Sequence, residues 1–215
     1  MLALLLVAAC LVAIAQEKQD AKPATTQKKS MASGKEKPMA MPMMKQTAEM
    51  AKIQKLFAGT WKISATIEPM PEVGMMQQAT SKGTQTSKMG PGGNSMIDEM
   101  KSTGATGTIT GHGVVWYDPT VEGYQAVWCD NQTPMGCGMN GVGKFVGDDL
   151  IFEGDIKMPP EMGGNMHMKE TYSDIKPDSF TFSIEGGPNA IQMKHMMTIK
   201  YVRAMGTAST TAKTK

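Results

Sequence analysis

The sequence lacks the residue spacings on which most recognisable enzymes depend. Gly90-Pro91-Gly92-Gly93 is not followed by the Lys-Ser/Thr pair of a phosphate-binding loop, and Ser95 has no Gly-x-Ser-x-Gly elbow around it. Asp98 and Glu99 are neighbours in a predicted strand, so they point to opposite sides and cannot share one proton transfer. His112 stands alone in its strand, which is typical of a structural or solvated histidine. These absences favour a protein without catalytic activity.

The sequence also lacks an apolar run long enough to cross a bilayer. Leu2 to Ile14 is almost wholly apolar, but it is shorter than the roughly 20 residues of a spanning helix. It ends in Ala13-Ile14-Ala15, the small-x-small pattern that signal peptidase needs. Residues 1–15 are therefore predicted to be the signal peptide of a secreted or periplasmic bacterial protein. The alternative is a lipid anchor on Cys10, because Val7-Ala8-Ala9-Cys10 resembles a lipobox.

Aromatic residues are absent from residues 16–45, which are rich in Lys, Met and Pro. Such a segment cannot bury enough apolar surface to offset its ordering entropy, so it is predicted to be a disordered linker. Residues 205–215 are predicted to be a disordered tail, and residues 46–204 a single folded domain. The excess basic charge lies in the two flexible ends and is not interleaved with aromatic residues, so no nucleic-acid partner is expected.

The folded domain shows a strand-and-turn pattern after one short helix. Thr47 is predicted to cap an amphipathic helix with Met50, Ile53 and Phe57 on one face. No helical period of useful length follows, which argues against a parallel α/β fold. The pattern predicts an all-β fold, a single antiparallel up-and-down β-barrel of about ten strands whose closure removes exposed edges. The predicted strands are 60–68, 78–88, 93–102, 107–118, 123–130, 138–146, 150–156, 165–175, 179–185 and 192–203.

Alternation within the strands predicts which side chains face the barrel interior. In the last strand, Lys194 and Lys200 mark the outer face. The inner faces of the last three well-patterned strands are predicted to carry Met193, His195, Met197, Ile199, Tyr201 and Arg203; Phe180, Phe182 and Ile184; and Leu150, Phe152 and Ile156.

Five groups of residues form a further pattern along the domain: Leu56 to Trp61, Met89 to Gly93, Gly113 with Tyr117-Asp118, Tyr124 with Trp128 and Asp130, and Met197 to Arg203. In this order and spacing they resemble the DUF1579-type family of secreted bacterial lipocalin-like domains of unknown function. The resemblance covers most of residues 50–203, and it implies a lipocalin- or calycin-like barrel with an interior cavity. In that pattern the tryptophan of a Gly-x-Trp motif fills the barrel base and a final arginine packs across its ring, which implies barrel closure by Trp61 and Arg203.

Cysteine is scarce, and only Cys129 and Cys137 remain once the predicted signal peptide is removed. An even pair in an oxidising compartment predicts a disulfide, which would pin the loop 130–136 at the barrel mouth. A thiol metal site or redox pair is the alternative, but the spacing is not C-x-x-C and no histidine flanks either cysteine.

Methionine is abundant, with 23 in the chain. Thioether and imidazole donors favour Cu(I), so a copper site is one interpretation of the methionine clusters. The other is that methionine fills an irregular barrel interior, in which case no cofactor is expected. The candidate copper ligands are Met193, His195, Met197, Met166 and Met168.

Together these features predict a secreted protein that binds a small apolar molecule inside a β-barrel. Two alternatives stay open: a Cu(I)-binding periplasmic protein, and an enzyme such as a hydrolase or isomerase whose acid–base residues converge only in the folded barrel. An open apolar cavity would favour the binding of a small apolar molecule. Three converging sulfur or nitrogen donors would favour the copper-binding protein, and a buried polar pair with shifted pKa values would favour the enzyme. The predicted lining residues are Tyr117, Tyr124, Trp128, Phe180, Phe182 and, as a polar contact, His195.

Overall fold

The computed structural model describes residues 44–71, 75–133, 135–159 and 164–204. The predicted signal peptide with Cys10, nearly all of the predicted linker and the predicted tail lie outside these ranges. In the described part of the chain, no helix combines the length and the apolar character that crossing a membrane would need.

Helix α1, Ala48–Phe57, begins where the sequence predicts it. The Thr47 hydroxyl accepts a hydrogen bond from the Met50 amide at 3.2 Å, which satisfies one of the free N–H groups of the first turn. Asn94 reinforces this start, since its side-chain oxygen accepts a hydrogen bond from the Thr47 amide at 3.0 Å. Met50, Ile53 and Phe57 are buried, so the apolar face of α1 packs against one end of the barrel.

Eleven strands follow α1 in the described residues. All neighbouring pairs are antiparallel, and the predicted all-β, up-and-down architecture is confirmed. The strands are β1 Gly59–Ile67, β2 Ala79–Met89, β3 Ser95–Gly104, β4 Gly107–Asp118, β5 Gly123–Asp130, β6 Cys137–Met139, β7 Val142–Val146, β8 Asp149–Lys157, β9 Asn165–Lys176, β10 Ser179–Gly187 and β11 Lys194–Arg203.

Ten of these strands close into a barrel, while the short β6 pairs only with β5. β1 pairs with both β2 and β11, and β5 meets β7 through the single pair Tyr124↔Gly143. The predicted strand 138–146 is in fact two strands, β6 and β7. Between them the Asn140 amide donates to the Ala126 carbonyl, and the Asn140 side chain donates to the Glu170 carboxylate across the barrel. The gap between β5 and β7 therefore admits a polar side chain to the interior.

The α1 end of the barrel is closed around Trp61, which is completely buried. The Trp61 indole N–H donates to the Phe57 carbonyl at 2.9 Å, and the Arg203 guanidinium lies 4.1 Å from the centre of the indole ring. Arg203 Nη1 also donates to the Ala58 carbonyl at 3.0 Å. Gly59 leaves room for this arrangement, because a Cβ there would lie 2.3 Å from Arg203 Nη1. The first strand, β1, and the last strand, β11, are thus held together by the contact between Trp61 and Arg203.

The inner face of β11 departs from strict alternation. Ile199 and Tyr201 are buried, as predicted. Between Ile184 and Glu185 the pairing register shifts, so that Met196 has no partner on β10 and forms a β-bulge. One extra residue reverses the alternation beyond it, and the predicted inward orientation of His195 is therefore wrong.

The predicted disulfide between Cys129 and Cys137 is confirmed. The two cysteines face each other as a directly paired position of β5 and β6. The bond closes a loop with a sequence separation of 8, and closing so short a loop contributes about 2–3 kcal/mol. It holds β6 beside β5 at the end of the barrel opposite α1.

Candidate functional site

Inner-facing side chains fall into two zones along the barrel. Those near α1 are buried, among them Trp61, Phe152 and Phe180. Towards the opposite end the two sides of the barrel differ: Ala79, Ser81 and Ser102 of β2 and β3 are buried, whereas the inner-facing side chains of β5, β9, β10 and β11 are only partly buried. No helix in the described ranges covers this end. We call this zone the cup, and its walls are formed by Met100, Trp128, Met168, Ile184 and Met197.

Trp128 owes its position in the cup wall to two glycines. On the facing strand β4, a Cβ at Gly111 would lie 2.4 Å from the indole Cζ2, and one at Gly113 would lie 3.0 Å from Cε3. The absence of both side chains lets the ring lie flat against β4. The Trp128 indole N–H donates to the Asp130 carboxylate at 2.8 Å, so the polar edge of the ring is paired.

Asp98 is a buried carboxyl group below the cup. It stands on β3 directly opposite Ser87 of β2, with both side chains facing inward. A chain of hydrogen bonds runs from the Tyr201 hydroxyl to Gln85 at 3.1 Å and from Gln85 to Ser87 at 3.3 Å. Burial raises the pKa of Asp98 to about 6, although hydrogen bonds from Ser87 and Gln85 oppose the rise. Among the described residues, Asp98 Oδ1 has no hydrogen-bond partner.

Glu170 is a second carboxyl group facing the interior, on β9. Its direct neighbours in the sheet are Phe152 and Ile184. Burial raises the pKa of Glu170 to about 7, and the hydrogen bond from Asn140 opposes this rise. Glu170 remains partly exposed and lies between the buried α1 half and the partly exposed wall, so we call it the floor of the cup.

Two tyrosines connect these carboxyl groups. Burial raises the pKa of both Tyr172 and Tyr201, and the charges of Asp98 and Glu170 raise both further. Because both carboxyl groups act on both tyrosines, the four side chains form one electrostatic unit, which we call the acidic floor. It offers carboxylate acceptors and phenol groups that stay protonated at any physiological pH.

A small void lies between the acidic floor and α1. Its volume is about 10 Å³, about the room for one water molecule. Asp98 borders it, together with Ile53 and Phe57 of α1. The α1 half of the barrel is thus filled by side chains.

The structure separates the six predicted lining residues. Trp128 is in the cup wall, and Phe182 is buried beside Tyr172 with ring centres 4.7 Å apart. Phe180 lies deeper, stacked on Tyr201 at 4.1 Å. Tyr117 and Tyr124 are at the α1 end, where the Tyr124 hydroxyl donates to the Glu49 carbonyl at 3.3 Å. His195 is exposed on the outer face and hydrogen-bonded to Thr198 at 2.8 Å, so it supplies no polar contact inside the barrel.

The five predicted copper ligands do not all converge. Met166 and His195 border one cleft at the rim of the barrel. Met168 faces the barrel interior, Met197 packs against the core, and Met193 lies just before β11. In the described part of the chain, no three His, Cys, Asp or Glu side chains group as metal ligands either. Met196, which strict alternation placed on the outer face, is instead close to Met166 beside Gly186.

Asp98 and Glu170 were not singled out from the sequence as interior residues. The signal was present, since Asp98 alternates with Met96 and Met100, and Glu170 alternates with Met168 and Tyr172. A carboxylate at the apolar positions of a strand indicates an interior polar group.

Several solved structures are similar to this chain at low sequence identity. The Rv2717c protein of M. tuberculosis is 12% identical, with a TM-score of 0.50 over 74% of this chain and 99% of that one. An S-type phycobiliprotein lyase from Guillardia theta is 8% identical, with a TM-score of 0.49 over 72% and 92%. A de novo designed fluorescence-activating β-barrel is 12% identical, with a TM-score of 0.37 over 69% and 94%. The curated proteins include no significant match.

A family model matches residues 45–203, from just before α1 to the end of β11. The match spans the whole barrel, including the acidic floor and the Trp61–Arg203 pair. The chain therefore belongs to DUF1579, a protein family of unknown function.

Proposed function

We propose that the barrel binds a small, largely apolar molecule in the cup and holds its one hydrogen-bond-donating group on Glu170. The observation that carries this proposal is a partly exposed carboxyl group on the floor of a cup whose walls are thioether, aromatic and aliphatic. A few polar groups set among apolar walls are the usual composition of a small-molecule site.

The acidic floor favours ligand groups that donate hydrogen bonds over ligand groups that accept them. Glu170 and Asp98 are both acids, and one oxygen of Asp98 has no hydrogen-bond partner among the described residues. Around neutral pH these groups carry partial negative charge, so an amine, amidine or hydroxyl is attracted and a carboxylate is repelled. The ligand class is therefore an apolar molecule with a neutral or cationic donor.

We also place this binding outside the cytoplasm. The apolar segment Leu2 to Ile14 with its small-x-small end supports export. The disulfide between Cys129 and Cys137 is of the kind that persists in oxidising compartments.

A matched pair of fluorinated probes tests the cup. 4-Fluorobenzylamine and 4-fluorophenylacetate have similar size and opposite charge, and ¹⁹F NMR titration reports the binding of each. We expect the amine to bind and the acid not to bind. Replacing Glu170 with glutamine should weaken amine binding about tenfold or more, because a charge-assisted hydrogen bond is lost.

Glu99→Gln is the control for this experiment, since Glu99 carries the same change on the outer face of β3 and is exposed. It should leave amine binding unchanged. Equal binding of the acid, or an equal effect of the two substitutions, would show that Glu170 does not select the ligand.

The same acidic floor favours a second candidate function, acid–base catalysis. The pKa of Asp98 is about 6 and that of Glu170 is about 7, so both the protonated acid and the ionised base are populated near neutral pH. The small molecules released from protein isolated from its own cells should then include substrate and product. We expect Asp98→Asn protein to release the substrate alone, measured by mass spectrometry. Identical molecules from wild type, Asp98→Asn and Glu99→Gln would leave binding as the only function of the floor.

A further inference from the structure

A second concave site lies at the rim of the barrel, apart from the acidic floor. Its volume is about 290 Å³, and we call it the rim cleft. The turn after β1 forms one side, and the ends of β9, β10 and β11 form the other. Residues that line the rim cleft include Met70, Met166, Gly186, Lys194 and Met196.

Two features of the backbone bring sulfur atoms together there. The β-bulge at Met196 turns this side chain toward the inner side of β11. On β10, Gly186 has no side chain, and the position its Cβ would occupy is 2.6 Å from Met196 Sδ and 3.2 Å from Met166 Sδ. The two sulfurs are therefore no more than about 5.8 Å apart. Small rotations of these flexible side chains would allow both sulfurs to coordinate one ion.

The donors available in the rim cleft are uncharged: thioethers, the side-chain amides of Asn165 and Gln192, and the imidazole of His195, whose Nε2 is hydrogen-bonded to Thr198. Met70 borders the same space and supplies a third thioether. No carboxylate is among the residues that line it, and Lys194 adds a positive charge. Hard divalent cations need oxygen ligands, whereas thioethers select Cu(I) and similar soft univalent ions. Partial exposure also distinguishes Met166 and Met196 from core methionines such as Met96.

We propose that the rim cleft binds one Cu(I) ion through the thioether sulfurs of Met166, Met196 and Met70. This site is separate from the ligand proposed for the cup and does not depend on it. It also differs from the ligand set expected from the sequence, because the bulge exchanges Met196 for Met197 and His195.

Silver(I), a redox-stable soft ion, is the first probe. The full chain without its predicted signal peptide is labelled with ¹³C at the methionine methyl groups, and resonances are assigned with single Met→Leu variants. We expect the first equivalent of Ag(I) to shift the Met70, Met166 and Met196 methyl signals. If the first equivalent shifts only signals from Met39, Met41 and Met43, the rim cleft is not the metal site.

Affinity for Cu(I) is then measured anaerobically against a chromophoric chelator. Met166→Leu and Met196→Leu should each weaken Cu(I) binding about tenfold or more, since even residues that only support a metal ligand matter at that level. Met197→Leu, the neighbour on the other side of the bulge, and the exposed Met139→Leu should not change it.

Gly186→Ala keeps every sulfur but fills the space beside them. The added methyl must displace Met196 Sδ, which is near the end of a flexible side chain, so the barrel should still fold. We expect weaker Cu(I) binding with an unchanged midpoint of urea unfolding. Unchanged Cu(I) affinity in Gly186→Ala and in both leucine variants would overturn the proposal.

Discussion

Replacing Trp61 with alanine is expected to lower the free energy of unfolding by about 4 kcal/mol. Trp61 is completely buried, and its ring packs edge-to-face on Phe180 with centres 4.8 Å apart. Truncation removes this burial and leaves a large cavity at the closed end of the barrel. It also leaves the Phe57 carbonyl without its 2.9 Å partner and the Arg203 guanidinium without the ring beneath it.

The measurement is urea unfolding followed by circular dichroism. Trp116→Ala is the matched control, because Trp116 is on the outer face of β4 and only partly buried. It should cost much less, about 1 kcal/mol, as is usual for single substitutions outside the core. Equal losses for the two tryptophans would mean that Trp61 does not close the barrel.

Arg203 provides an independent check on the closure. Arg203→Lys keeps the charge but loses the planar group that donates to Ala58 and Pro177 while covering Trp61. We expect a smaller loss than for Trp61→Ala, and a smaller loss still when Trp61 is already alanine. Additive losses would show that the two side chains act separately.

The second large effect is a fall in stability as the pH rises from about 4 to about 7. The pKa of Asp98 is raised from 3.8 to about 6, and that of Glu170 from 4.5 to about 7. In this window the folded protein holds protons that the unfolded chain has released. Stability therefore decreases with increasing pH, and it is fully retained only below the ordinary values of these groups. For Asp98 the decrease is about 3 kcal/mol by the time the pH exceeds its folded pKa.

Asp98→Asn should remove about half of this decrease, because Glu170 contributes a shift of similar size. The amide cannot ionise, so the substituted protein should be more stable than wild type at pH 7.5, by up to about 3 kcal/mol, and show no gain at pH 4. Urea unfolding at pH 4.0, 5.5 and 7.5 measures the difference. Glu99→Gln, on the exposed face of the same strand, should leave the wild-type pH dependence intact. Wild-type stability that rises between pH 4.5 and 7 would contradict a buried, unpaired Asp98.

Local patterns predicted most of the fold. Thr47 and the spacing of Met50, Ile53 and Phe57 located α1, because capping and helical periodicity depend only on neighbours in the chain. Alternation in β10 and β11 identified Phe180, Phe182, Ile199 and Tyr201 as inner residues, since the two faces of a strand alternate without exception where the ladder is regular.

The residues of the candidate sites were predicted less well from alternation along single strands. His195 was assigned to the interior, but the unpaired Met196 reverses the alternation before that position is reached. A bulge adds one residue to one strand relative to its partner, so it is a property of the pairing and leaves no mark in either strand alone. The same bulge brings Met196 to Met166, a contact that no spacing along the chain indicates.

The sequence by itself predicted an antiparallel barrel with one capping helix and a Cys129–Cys137 disulfide, and the family resemblance implied the Trp61–Arg203 closure. The helix, the strands and the disulfide can be predicted because each depends on residue types and their order along the chain. Only the tertiary structure decided that Asp98 and Glu170, from strands far apart in the chain, act with Tyr172 and Tyr201 as one acidic floor. The pKa values of Asp98 and Glu170 are raised by burial, which arises only when the barrel closes.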